Sequence, residues 1–412
     1  MPTPGIPPSG VRFTPAQRKL FVFLSAATFF EGYDFMAISQ VLPALRADMD
    51  LSKGEGATIL GAAAIGPVLA ALLMRKVDRW GRRRVLMITL VGYAIASFVT
   101  GLTQNPLQFT LVQIVAQMFL IAEWGTSMVY AAEAFPAAQR GAAVGAIQAM
   151  ASFGAVACAG LVPLMLRAPW GWRTVFFIGG VPLLLLALAR RNLPETDRFK
   201  ALQAAETPPN SFLRILGPDT RRRVFLLATL WGLVYAATHT AIKFWKDFAI
   251  SERDFTEMET ARTLTIAAVV AMPMVFGVGR LLDRVGRRVG AAILFPLAAL
   301  AILGGFTAHD HRLLTVCVVG IVFGASAVLP VLETYTAELF PTDLRGDAFA
   351  WSNNLLGRLG SVGMPWLIAL YADAVGYGVL VAGTSACLIL ALWILWTRLP
   401  ETASKELEEI SA

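Results

Sequence analysis

Asp78-Arg79-Trp80-Gly81-Arg82-Arg83-Arg84 sits between two apolar runs and returns later as Asp283-Arg284-Val285-Gly286-Arg287-Arg288. The offset is 283 − 78 = 205. Tyr130-Ala131-Ala132-Glu133-Ala134-Phe135-Pro136, followed by Arg140-Gly141, returns as Tyr335-Thr336-Ala337-Glu338-Leu339-Phe340-Pro341, followed by Arg345-Gly346, and 335 − 130 is again 205. Leu193-Pro194-Glu195-Thr196 returns as Leu399-Pro400-Glu401-Thr402, with 399 − 193 = 206. Three phrases in one order at one spacing make the chain two copies of one unit.

The chain is 56% hydrophobic and 15% charged, with mean hydropathy +0.62. A soluble chain carries about 25% charged residues. Here the charges cluster between long apolar runs, as in a membrane protein. The formal charge of +7 raises nucleic acid as a partner. Most Lys and Arg fall on one side of a twelve-span topology, so orientation in a membrane accounts for the basicity and nucleic acid is excluded. Cys158, Cys317 and Cys387 lie inside apolar runs, without disulfide or metal spacing.

Apolar runs predict spans at 19–42, 56–77, 84–104, 107–132, 141–166 and 173–192, then 223–246, 262–282, 289–307, 312–337, 346–372 and 377–398. Each is near the ~20 residues that cross hydrocarbon as a helix. Lipid offers the backbone no partners, so the spans are helical. The predicted class is an all-α membrane protein, twelve transmembrane helices in two pseudo-symmetric six-helix bundles. Residues 1–17 read as a disordered cytoplasmic tail, 18–192 as the first bundle, 193–222 as a cytoplasmic linker, 223–398 as the second bundle and 399–412 as a cytoplasmic tail. An even span count puts both termini in the cytoplasm. The expected location is the plasma membrane, in bacteria the inner membrane, and the expected state a monomer in the bilayer.

With the doubled Asp-Arg-x-Gly-Arg-Arg turn in place, the chain resembles the major facilitator superfamily over nearly its whole length. That family's signature is Gly-x-x-x-Asp-Arg-x-Gly-Arg-Arg. Gly279 to Arg288 matches it fully, while the first copy has Met74 in place of the glycine. Gly32-Tyr33-Asp34, the two Glu-x-x-Pro-x-x-x-Arg-Gly phrases and Pro400-Glu401-Thr402 followed by Leu407-Glu408-Glu409 resemble the branch of metabolite and aromatic-acid proton symporters, sugar porters and organic-cation carriers. The resemblance implies a conformational latch of Asp78, Gly81, Arg82, Glu133 and Arg140, mirrored by Asp283, Gly286, Arg287, Glu338 and Arg345. On the residues alone, Gly81 and Gly286 permit a tight reversal that the arginines anchor at the membrane surface. Topology-setting charge is the plainer reading of the same residues.

Ionisable groups inside spans are costly, ~2.5–3.5 kcal/mol on insertion scales, and each is a functional candidate. Glu31 and Asp34 share a face of span one, Glu123 lies in span four, His239 and Lys243 are four apart in span seven, and Asn354 and Arg358 share a stripe of span eleven. Acids crowd the first half and bases the second, so a cavity between the halves is expected to have an acid wall facing a base wall. Asp34 is the expected proton carrier in preference to a static bond to backbone or arginine, and Glu31 reads either way. Glu123 reads three ways: second proton site, substrate contact or partner of Arg358. Arg358 offers a fork for a carboxylate or phosphate, or a structural pair with an acid. His239 either relays protons or is a buried, bonded histidine. Lys243 binds substrate or snorkels. Asn354, Tyr33 and Trp124 complete the substrate-binding candidates.

The function these features predict is secondary active transport, a small organic acid or metabolite moving with a proton by alternating access. No cofactor is expected beyond the coupling proton. Proton-driven export of cationic compounds and sugar transport are the alternatives. Span five lacks the Gly-x-x-x-Gly-Pro-x-x-Gly-Gly pattern of the antiporters, and span seven lacks the paired glutamines that sugar hydroxyls favour. His239, His309 and His311 have no partners in metal register, and no nucleophile–base motif is present. An enzyme is not expected.

Overall fold

The computed structural model describes residues 13–74, 80–190, 195, 214–341 and 344–402. Twelve long helices and no strand occur among the described residues. In chain order they are α1 (Pro15–Asp48), α2 (Lys53–Met74), α3 (Arg82–Thr100), α4 (Pro106–Ala134), α5 (Ala137–Met165) and α6 (Arg173–Arg190). The second half repeats the set: α7 (Pro218–Arg253), α8 (Glu257–Val285), α9 (Arg287–Thr307), α10 (His311–Glu338), α11 (Arg345–Val375) and α12 (Tyr377–Arg398). Eleven are long and apolar enough to cross a bilayer, and α6 contributes a shorter apolar stretch, Arg173–Ala189. The twelve-helix reading of the sequence is what the chain adopts. Helix α7 begins at Pro218, inside the segment read as linker.

Local chemistry sets the helix ends. Thr14, Ser52 and Thr256 form capping boxes with Gln17, Glu55 and Glu259, and Asn105 and Asp310 cap α4 and α10. Gly81 and Gly286 take φ of 94° and 87°, a region that side-chain-bearing residues avoid. The repeated Leu-Pro-Glu-Thr phrase now has a role. Glu401 accepts from the Arg287 and Arg288 N–H groups at 2.9 Å, and Glu195 accepts from Arg83 N–H at 3.2 Å. Each carboxylate faces the positive end of a helix, α9 or α3, that starts at the glycine turn.

Within each half, small residues bring two backbones together. A Cβ on Gly32 of α1 would strike the Ala151 backbone of α5, and one on Gly154 would strike the Phe29 carbonyl of α1. In the second half a Cβ on Gly360 of α11 would strike the Gly232 carbonyl of α7. Small-residue contacts of this kind are how membrane helices pack closely without large side chains between them. Met74, where the signature expects glycine, lays its thioether on Gly125 of α4.

The two ends of the bundle differ. The Asp-Arg-x-Gly-Arg-Arg turns mark the basic end, and the α1–α2, α7–α8 and α11–α12 connections mark the far end. At the far end each half ties its own helices with one carboxylate. Asp48 at the end of α1 accepts from Trp172 Nε1 and Arg173 Nη1 at the start of α6, both at 2.9 Å. Glu252 near the end of α7 accepts from the Tyr377 and Gly378 N–H groups opening α12, at 2.6 and 3.0 Å.

Replacing Gly154 with Val is expected to force α1 and α5 apart and cost about 1–3 kcal/mol or more. Thermal melts of the purified protein in detergent check this. Gly154→Val should melt well below wild type. Gly141→Ala, where nothing lies within 4 Å of the added carbon, should melt with it.

Candidate functional site

Helix α7 presents Tyr235, His239 and Lys243 at four-residue intervals, which puts them on one face. The Tyr235 hydroxyl donates to Asn353 Oδ1 at 2.7 Å, and its ring lies 4.4 Å from the His239 ring. Arg358 of α11 is 9% exposed, with its guanidinium carbon 5.8 Å from the Tyr235 ring centre. That distance is within cation–π range. From the other half, Phe35 of α1 meets His239 edge to face at 6.3 Å.

These groups surround a small cavity where the halves meet. His239, Lys243, Arg358 and Ser361 come from the second half, and Phe35, Ile38, Leu60, Ala63, Ala64, Pro67 and Gln117 from the first. It encloses about 10 Å³ of water-accessible space, enough for about one water molecule. Neither Arg358 nor Lys243 pairs with a described carboxylate, and Arg358 Nε is buried without an acceptor.

The base wall expected from the sequence is therefore present, but no acid wall faces it. The first half contributes apolar groups and one amide, Gln117. Asp34 turns into its own bundle, where Oδ2 accepts from Tyr93 at 2.5 Å and Ser97 at 2.7 Å, both on α3. A Cβ on Gly179 of α6 would strike the same carboxylate, so Asp34 is enclosed by α1, α3 and α6. Its Oδ1 and both oxygens of Glu31 are buried without hydrogen-bond partners. Glu123 is fully buried and accepts from Ser127 at 2.9 Å. The three acids do not line the cavity. Helical spacing places Glu31 and Asp34 a turn apart on α1, but the Asp34 carboxylate meets α3 and α6. Phe35 and Ile38, one turn on from Glu31 and Asp34, reach the cavity.

Three other candidates also fall outside the lining. The Tyr33 hydroxyl bonds Met165 Sδ at 3.2 Å and the Val175 carbonyl at 3.1 Å, deep in the first bundle. Trp124 and Asn354 are partly buried elsewhere. Asn353, not Asn354, joins the site, because residues Ala350–Gly357 wind as a π-helix. Arg358 N–H donates to the Asn353 carbonyl five residues back, at 3.1 Å. The 3.6-residue period thus picks the wrong asparagine. Widened turns of this type often mark functional positions.

The latch candidates pair inside each half. Arg82 reaches Glu133 at 3.2 Å and Arg287 reaches Glu338 at 3.0 Å. Asp283 stands 3.6 Å from Arg287, largely in the open. Arg345 Nε donates to the Phe340 carbonyl at 3.1 Å. Asp78 and the Arg140 side chain lie outside the described residues.

A set of bonds that the sequence reading did not single out joins the halves at the far end. Arg46 of α1 meets both oxygens of Asp247 on α7 at 2.8 Å. Lys53 of α2 meets Glu252 at 2.6 Å. Lys246 is 2% exposed, donates to the Gln40 carbonyl of α1 at 2.6 Å and lies 2.6 Å from Glu257. Asp373 of α11 accepts from Ser52 Oγ at 2.9 Å and Gly54 N–H at 3.0 Å, at the start of α2. Trp366 of α11 covers Gly61 of α2. Toward the basic end, Gly141 and Gly145 of α5 and Gly277 and Gly279 of α8 have nothing within 4 Å of a built Cβ. The adjacent charges Lys246 and Asp247, at the end of an apolar run, were the available sequence signal.

The Major Facilitator Superfamily model matches residues 24–365, and again 255–412. The chain belongs to this superfamily. It is a membrane transporter and not an enzyme. It is 27% identical over 387 residues to the cis,cis-muconate transport protein of Acinetobacter baylyi, covering 89% of this chain and 90% of that one. It is 25% identical over 413 residues to the gallate transporter of Pseudomonas putida, covering 90% and 86%. The inward open conformation of the Escherichia coli xylose transporter XylE superposes with a TM-score of 0.77 at 19% identity, covering 95% and 98%. That likeness establishes the fold.

Asp247→Asn is expected to leave Arg46 without its counter-charge and weaken far-end closure by on the order of 2 kcal/mol. In a background with Cys158, Cys317 and Cys387 replaced, a Leu60→Cys reporter should then react faster with an impermeant maleimide added from the far side. Unchanged labelling would show that the pair does not hold this end shut.

Proposed function

We propose that this transporter imports a small organic carboxylate together with a proton across a bacterial inner membrane, with the basic end and both termini in the cytoplasm. The observation that carries the reading is the cavity's charge. Two cationic side chains and a histidine line it, with no acid among the lining residues. Buried charges are stable only when paired, and a carboxylate substrate supplies the partner. The relatives named for muconate and gallate transport support the same class. The positive-inside bias supports the orientation. In that orientation the far-end bonds close the outside.

Asp34 is the proton carrier in this reading. It lies inside the first bundle, held by two hydroxyl donors on one oxygen and none on the other. Its helix also carries Phe35 and Ile38 into the cavity and Arg46 and the Gln40 carbonyl into the far-end closure. A change of charge at Asp34 is thus felt at substrate and gate through one continuous helix, α1. Binding that differs between the two states is what moves the equilibrium between them. The cations lining the cavity argue against an exporter of organic cations.

Proton coupling is read directly in proteoliposomes. Carboxylate addition should alkalinise the outside medium in wild type. Asp34→Asn should abolish pH-driven accumulation, by tenfold or more, while substrate exchange across the membrane persists. Accumulation by Asp34→Asn with unchanged pH dependence removes Asp34 from coupling. Arg358→Gln is expected to weaken carboxylate binding by about tenfold to a hundredfold, the range for a lost charge-assisted bond. Equal affinity in that variant, measured by calorimetry, overturns the anion site.

A further inference from the structure

We infer that the substrate is a dianion, a short dicarboxylate whose two ends are taken one by the Arg358 guanidinium and the other by the Lys243 ammonium. The inference rests on the carboxylate reading above and narrows it. Its basis is a count of charges. Arg358 and Lys243 come from different helices, α11 and α7, and line the same small cavity. Neither forms an ion pair or side-chain hydrogen bond with a described residue.

None of the described acids that might have balanced them pairs with either cation. Asp247, one turn beyond Lys243, is held by Arg46. Glu257 lies against Lys246. Glu123 bonds Ser127 on its own helix, and Glu333 of α10 is near enough to Tyr235 to act on it electrostatically but is exposed and forms no ion pair with either cation. The first half answers the two cations with a neutral amide, Gln117, and apolar side chains. One carboxylate therefore leaves one cation uncompensated, and two carboxylates compensate both.

The donors also differ in kind. Arg358 presents a planar fork with a buried, acceptor-free Nε, suited to gripping one carboxylate through both oxygens. Lys243 is a point donor on a flexible stem, suited to a terminal carboxylate whose position varies with chain length. The rings of His239 and Phe35 and the side chain of Ile38 share the lining with them. They favour a flat or unsaturated body over a hydroxylated one, since each buried hydroxyl needs a partner.

The test uses matched pairs that differ by one carboxylate: hexa-2,4-dienedioate against hexa-2,4-dienoate, hexanedioate against hexanoate, and terephthalate against benzoate. Dissociation constants are measured by calorimetry on the purified full-length protein at pH 7.5. In wild type at least one dianion should bind tenfold or more tightly than its monoanion, the effect of one further charge-assisted bond. Lys243→Gln should bring that ratio to within about twofold of one, and Lys243→Arg should keep it. The dianion inference is overturned if every monoanion binds as tightly as its partner in wild type. It is also overturned if Lys243→Gln weakens both members of a pair by the same factor. Binding of neither member of any pair overturns the carboxylate reading as well, which separates the two failures. The wild-type ratio decides even if a variant proves unstable.

Discussion

The ion pair of Arg46 with Asp247, reinforced by Lys53–Glu252 and by Lys246 on the Gln40 carbonyl, joins two bundles whose remaining bonds are mostly internal. Each bundle is otherwise complete. Glycine contacts fuse α1 to α5 and α7 to α11, and a carboxylate at the far end ties the outer helices of each half. The cavity exists because these two finished units meet across a seam that is fastened polar group to polar group at one end. Polar fastenings of that kind can be exchanged for water, whereas the glycine-to-backbone contacts cannot. The structure separates what must stay rigid from what must part.

Charge is distributed along the same division. The cations lining the cavity come from the second bundle alone, while Asp34 and Glu123 of the first bundle bond within their own half. Under the proposed mechanism, a proton on Asp34 and a substrate anion have no common chamber in this state. What connects them is α1, whose successive faces carry Asp34, then Phe35 and Ile38, then Arg46. One helix touching three places links them without a chain of side chains in between.

The twelve-helix duplication was legible because its causes are local or periodic. Apolar length, hydrogen-bond self-sufficiency in lipid and two glycine turns at one offset decide it, and Gly81 and Gly286 take the backbone angles that such turns need. His239, Lys243 and Arg358 were legible as one wall because ionisable groups in apolar runs are rare. The facing of Asp34 was not, since spacing shows which residues share a helix face and not which neighbour that face meets. Arg46 and Asp247 lie 201 positions apart, and nothing near either one announces the other. Glu195 and Glu401 were visible as a repeat, but their grip on the starts of α3 and α9 needed coordinates. Asn353 was missed for a different reason: the assumed period failed where α11 widens.

That widened stretch of α11 has one more consequence. An ordinary α-helix advances about 100° per residue, so the surplus residue held in the loose coil before Arg358 fixes where every later side chain on the helix points. The guanidinium's aim is a matter of backbone winding, not of rotamer choice. Tightening that single coil to ordinary pitch would swing the positive charge roughly a quarter circle. The later side chains of α11, among them Trp366 on Gly61 and Asp373 at the start of α2, would have to turn with it.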